Sequence, residues 1–66
     1  MKPLTQLKNG ATVIAYSEPD HVALCVFNGE YVTWFIDSAG GANWGHYYQS
    51  DFNKAATGFA ARCSIA

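Results

Sequence analysis

His21, His46, Cys25 and Cys63 have the widest chemical repertoire in this sequence. Their spacing forms no Cys-x-x-Cys, His-x-x-x-His or His-Glu pattern. A single zinc ion held by all four is the metal arrangement these residue types allow, but nothing in the spacing specifies it. The expectation is no metal and no cofactor. Nucleophilic catalysis by a Cys–His pair would need a base within reach, a third group to orient it and an oxyanion hole. Nothing in the sequence specifies these, and a domain of 66 residues has little room for a deep pocket. The chain reads as non-enzymatic. Two cysteines could form one bridge if their Cα atoms came within about 7 Å. They make no disulfide framework, and they read as two buried thiols of a reducing compartment.

Carboxylates offer a second kind of chemistry. Glu18, Asp20 and Asp37 fall at one end of the expected strands, with Asp20 opposite Asp37. Lys2 and Arg62 are expected at the same end, where they would neutralise the acids. Left unneutralised, the acids would form a patch for a basic partner or a cation. They lack the glycine-bearing loop of a calcium site. Four Lys and Arg against five Asp and Glu leave a net charge of −1, which supplies no general pull toward nucleic acid or an anionic membrane.

Positioning these groups requires one small domain, residues 1–66. Half the chain is hydrophobic, 15% is aromatic and only 14% is charged, which excludes a disordered segment. No apolar run is long enough to span a bilayer, and the start has no apolar stretch of the kind a secretory signal needs. The expectation is a cytoplasmic protein. A chain this short buries only about 60% of its unfolded surface, so dense aromatic packing or a second copy must help.

Turn signals divide the chain. Asn9-Gly10 and Asn28-Gly29 are Asn-Gly pairs, which suit type I′ hairpins because both central residues take positive φ. Glu18-Pro19-Asp20 is a turn, and residues 38–42 form a small-residue loop. The β-branched and aromatic stretches between them predict strands near 2–8, 11–17, 21–27, 30–37 and 43–49. Phe52, Ala55, Ala56, Phe59, Ala60 and Cys63 then mark one stripe of a helix over 51–63, with Ser50 as N-cap, Asp51 at the positive end of the dipole and Arg62 in the last turn. Gly58 within it would let a neighbour approach. The fold class is α+β: an antiparallel four- to five-stranded meander with one C-terminal helix packed on one face.

The Asn28-Gly29 turn sets Phe27 against Glu30 and Leu24 against Thr33. One sheet face then carries Ala23, Cys25, Phe27, Val32, Trp34 and Ile36. The other carries Val22, Leu24, Val26, Tyr31, Thr33 and Phe35. The helix is assigned to the first face, whose aromatic load is larger, with Trp34 under its alanines. That leaves the Leu24 and Phe35 face open to a second copy or another protein, or covered by side-chain bending and the first-strand segment; the alternative makes the Leu24 and Phe35 face the core under the helix. Trp44-Gly45-His46-Tyr47-Tyr48 is the most distinctive stretch. Trp44 and Tyr48 could complete the core, while Gly45 signals a bulge or a close backbone approach. The last strand is an edge with no Lys or Pro to block strand addition. An aromatic sheet can also stack single-stranded bases, but four cations are few for phosphate contacts, so nucleic acid ranks below protein. The candidate partner-binding residues are Tyr31, Phe35, Trp44, Tyr47, Leu24, Asp20 and Asp37.

Tyr31-Val32-Thr33-Trp34, Trp44 to Tyr48, and the series Phe52, Ala55, Ala56, Phe59 and Arg62 resemble short reading frames of phages, prophages and plasmids over roughly residues 22–63. Small α+β proteins of that origin include anti-CRISPR inhibitors, which bind a Cas protein or complex. The resemblance implies a protein-binding inhibitor of a host defence complex. The near-neutral charge departs from the acidic, DNA-imitating members and points to docking by shape or by an edge strand. A small structural or regulatory homodimer and a single-stranded nucleic-acid binder are the alternatives.

Overall fold

The computed structural model describes residues 2–63. Four strands, β1 (Thr12–Ser17), β2 (Val22–Phe27), β3 (Glu30–Ile36) and β4 (Ala42–Tyr47), form one antiparallel sheet in the order β1-β2-β3-β4. A single helix, α1 (Phe52–Cys63), follows and packs on it. The α+β meander expected from the turn spacing is therefore present.

Register is set locally at the β2–β3 hairpin. Asn28 and Gly29 take φ of 50° and 76°, the two left-handed residues of a type I′ turn. Phe27 consequently pairs with Glu30, Leu24 with Thr33 and Ala23 with Trp34, as the turn length dictates. Asn9-Gly10 behaves differently. Only Gly10 has positive φ, and Asn9 instead turns its side-chain oxygen back to accept from the Ala11 amide at 2.9 Å. The result is an Asx turn inside a loop closed by Leu7 N–H donating to the Ala11 carbonyl.

The strand expected over 2–8 is absent, because that segment makes only one bridge, Gln6 with Thr12. It is an irregular arm. The Leu4 amide donates to the Val13 carbonyl at 2.6 Å, and the Val13 amide donates to the Thr5 carbonyl at 2.8 Å. Leu4 itself has a φ of 66°, outside the range of regular strand backbone.

The assignment of the helix to the Trp34 face is overturned. Phe52 of α1 meets Tyr31 edge-to-face at 5.2 Å, and the Arg62 guanidinium lies 4.8 Å over the Phe35 ring. Both ring partners belong to the Val22, Leu24 and Thr33 face. Residue volume gives the reason. The inward surface of α1 is small, with Ala55 fully buried, so the helix seats closely on Val, Leu and Thr side chains. An indole beneath it would hold it away. Gln49, with a φ of 54°, lies in the short connection that carries the chain onto this face.

The other face is not open either. Leu7 and Ala11 of the arm join Val13, Ala23, Cys25, Val32, Trp34 and Ile36 in one buried cluster. Phe27 and Tyr47 stand edge-on to Trp34, at 5.6 Å and 6.1 Å. A bulge in β1 between Val13 and Ala15 brings Val13 and Tyr16, three residues apart, onto this same side. Both sheet faces are thus covered by the chain's own segments, and the open Leu24 face does not exist.

Three smaller details complete the helix. Asp51, not Ser50, is the N-cap, its carboxylate accepting from the Lys54 amide at 3.0 Å. Gly58 does admit a neighbour: a Cβ there would overlap the Tyr48 hydroxyl. Ala60, placed on the inward stripe by its spacing, is exposed, whereas Arg62 is buried.

Thr33 is fully buried beneath α1, and its hydroxyl has no hydrogen-bond partner. Burying an unmatched hydroxyl costs free energy that an isosteric methyl would not. Thr33→Val should therefore raise stability by about 1 kcal/mol, read as a higher urea midpoint with an unchanged slope.

Candidate functional site

The seven expected contact residues do not form one surface. Leu24 is 3% exposed under the helix and cannot touch a partner. Tyr31 is half-buried against Phe52, and Phe35 is half-buried under Arg62. The acidic group is absorbed in local structure. Asp20 accepts from the Ser17 hydroxyl at 2.6 Å. Asp37 accepts from the Gly41 amide at 2.7 Å, the Ala39 amide at 2.9 Å and the Asn43 side-chain amide at 3.1 Å. Arg62, expected beside these acids, instead reaches β4. Lys8 is the cation whose charge acts on Asp37.

The Gly41 amide, then the Asn43 side chain, and more weakly the Ala39 amide and the Lys8 charge hold the Asp37 carboxyl below the ordinary aspartate range, against a small opposing effect of desolvation. With a folded-state pKa below the unfolded one, the unfolded chain binds more protons on acidification. The stabilisation is complete above the unfolded value of about 3.9 and is lost as pH falls through the lower folded value. Thermal midpoints of the wild type should accordingly drop below about pH 4, and Asp37→Asn should flatten part of that drop.

Trp44 and Tyr47 remain. Trp44 is 81% exposed and Tyr47 56% exposed, both on β4 at the sheet margin. Between Thr33 and Phe35 the β3–β4 register shifts, so that Trp44 and Gly45 together oppose Trp34. Gly45 is required there because a Cβ would lie 2.5 Å from the Trp34 indole nitrogen. Trp44 takes a φ of 58°, a left-handed conformation that costs a non-glycine residue about 1–2 kcal/mol. Such strain concentrates at functional positions. The bulge turns the Trp44 indole outward, so it does not complete the core as the alternation of strand residues allowed.

Beside this bulge lies a cavity of about 380 Å³ lined by Phe35, Trp44, Gly45, His46 and Arg62. Arg62 spans from the last turn of α1 to the bulge. Its Nη2 donates to the Trp44 carbonyl at 2.6 Å, while its Nη1 has no hydrogen-bond partner. Burial lowers its pKa from the ordinary arginine value. The sequence suggests Arg62 as a helix-dipole partner and as a neutraliser of the acidic end, not as a neighbour of β4. Its spacing from Ala55 and Phe59, seven and three residues, already put it on the inward face.

Among the described residues, no group of three or more His, Cys, Asp or Glu is placed to hold a metal ion. His46 stands near Tyr48, ring centres 6.4 Å apart, and His21 Nδ1 lies 3.3 Å from the Tyr16 hydroxyl. Cys25 and Cys63 are free thiols, with burial pushing the Cys25 thiol up to about 11. No helix among the described residues is long and apolar enough to cross a membrane. No family model, curated protein or solved structure matches the chain, so its surface carries the functional case.

Proposed function

We propose that this protein is a non-enzymatic binding module that docks a protein partner along β4, with Trp44 as the anchor and Tyr47 as a flanking contact. The observation that carries the reading is the Trp44 backbone, held left-handed so that a large aromatic side chain faces solvent. Tryptophan and tyrosine are the residues most enriched among interface hot spots. Tyr47 packs on Trp34, while Trp44 borders the cavity shared with Phe35 and Arg62. The two rings flank the edge from opposite sides, where a partner strand or loop would meet both. A mobile-element inhibitor of a host defence complex is the narrower form of this reading, and the chain's near-neutral charge fits docking by shape.

Matched affinity captures with wild type, Trp44→Ala and Tyr47→Ala as baits test it. A protein retained by the wild type and lost by both folded variants supports the reading; equal retention by all three refutes it. A homodimer is favoured by one separate observation, the position of β4 at the end of the sheet order. Light scattering at micromolar concentration separates the two, since a tight dimer abolished by Trp44→Ala would make the second copy the partner. Nucleic acid is disfavoured further by the burial of Arg62, one of only four basic residues.

A further inference from the structure

We infer that Asn28-Gly29, at the tip of the β2–β3 hairpin, is a site of self-modification. Asn28 converts there, through a succinimide, to aspartate and isoaspartate. Asn9-Gly10 has the same two residues but is held back by its hydrogen bonds. The inference goes beyond protein docking and stands whether or not β4 captures a partner.

The reaction needs a backbone nitrogen as nucleophile and the side-chain amide carbon before it as electrophile. Glycine after asparagine suits it, because no Cβ crowds the approach. At the hairpin tip both reacting groups are unengaged. Asn28 and Gly29 are exposed. Among the described residues, the Gly29 amide donates to no acceptor and the Asn28 side chain makes no hydrogen bond. A Cβ built on Gly29 would meet nothing within 4 Å, so the five-membered ring has room to form.

Exposure does not separate the two sites, since Asn9 and Gly10 are also exposed and the space over Gly10 is equally open. Hydrogen bonding does. The Gly10 N–H donates to the Leu7 carbonyl at 3.0 Å, and the Asn9 Oδ1 accepts from the Ala11 amide at 2.9 Å. The first bond holds the proton that must leave before the nitrogen can attack. The second fixes the side chain in its Asx turn. That second bond also polarises the Asn9 amide, which favours attack, but the nucleophile it would meet is itself engaged. Leu7 and Ala11 are both buried, so opening this loop disturbs the core, whereas nothing packs on the hairpin tip.

The chemistry at Asn28 balances with water alone. A water-derived base takes the Gly29 amide proton, the nitrogen bonds to Cγ, and the Cγ–Nδ2 bond breaks to release ammonia. One water then opens the succinimide. Opening at Cγ gives aspartate; opening at the main-chain carbonyl gives isoaspartate, whose backbone runs through Cβ and Cγ. Nothing is oxidised or reduced. Either product adds a carboxylate close to Glu30. Isoaspartate also lengthens a two-residue turn on which the β2–β3 register depends.

The test holds folded wild-type protein in mildly alkaline buffer beside a sample in denaturing urea. Peptide mapping by mass spectrometry then reads acid formation at positions 28 and 9, with fragmentation separating isoaspartate from aspartate. In the folded protein Asn28 should convert at least about fivefold faster than Asn9, the factor for opening one backbone hydrogen bond first. In urea the two rates should converge. The inference is overturned if Asn9 keeps pace with Asn28 in the folded protein, or if the difference survives in urea. The isoaspartate form, separated by ion exchange, should unfold at lower urea than fresh protein. An unchanged midpoint would overturn the proposed effect on the turn.

Discussion

Trp34→Ala should leave a large part of the protein unfolded at room temperature. Trp34 is 5% exposed and lies in the cluster that α1 does not cover. Its ring receives the edges of Phe27 and Tyr47 and lies beneath Gly45. The arm supplies only Leu7 and Ala11 on that side, so no neighbouring element can move in to fill the lost volume. Truncating a buried tryptophan costs about 3–5 kcal/mol. A domain of 66 residues has about 3–10 kcal/mol of total stability. The two ranges overlap, which makes this the most damaging single truncation expected in the sheet. Urea unfolding followed by far-UV circular dichroism is the measurement. A midpoint close to wild type would show that the indole is not the centre of that core.

Trp44→Gly should do the opposite to the fold and weaken the proposed capture of a protein partner. Glycine adopts the observed left-handed φ of 58° without the steric penalty. The relief of about 1–2 kcal/mol is partly offset by the extra freedom glycine brings to the unfolded chain, about 0.5–1 kcal/mol. With little indole surface buried, the net expectation is a gain of about 0.5–1 kcal/mol, or a few degrees in Tm. Loss of an anchoring tryptophan costs about 2 kcal/mol or more in binding, roughly thirtyfold in Kd. Stability and capture should therefore move in opposite directions. Destabilisation would identify the indole as a structural element, and undiminished capture would remove Trp44 as the anchor.

Features governed by neighbours in sequence were legible before the structure. Asn28-Gly29 demanded two positive φ values, and the whole β2–β3 register followed from that demand. The period of Phe52, Ala55, Ala56 and Phe59 marked α1, and Gly45 marked the β4 bulge. Features governed by volume were not. Both sheet faces are apolar, so alternation cannot say which one the helix takes, and the choice turns on whether an indole or a set of small side chains fits beneath alanines. The misplacement of Leu24 follows from that. The composition of residues 2–8 allows a strand, although the arm's backbone bonds reach only the start of β1. At the site, the aromatic run singled out Trp44 and Tyr47, but the bond from Arg62 to the Trp44 carbonyl spans 18 residues of sequence, a pairing no local pattern reports.

The covers of this sheet are made at opposite times. The arm precedes all four strands, while α1 follows them. During synthesis, Val22, Leu24 and Thr33 stay wet until the last helical turn leaves the ribosome. The cluster from Leu7 to Ile36 contains no residue of α1, so the arm side can close before the helix side does.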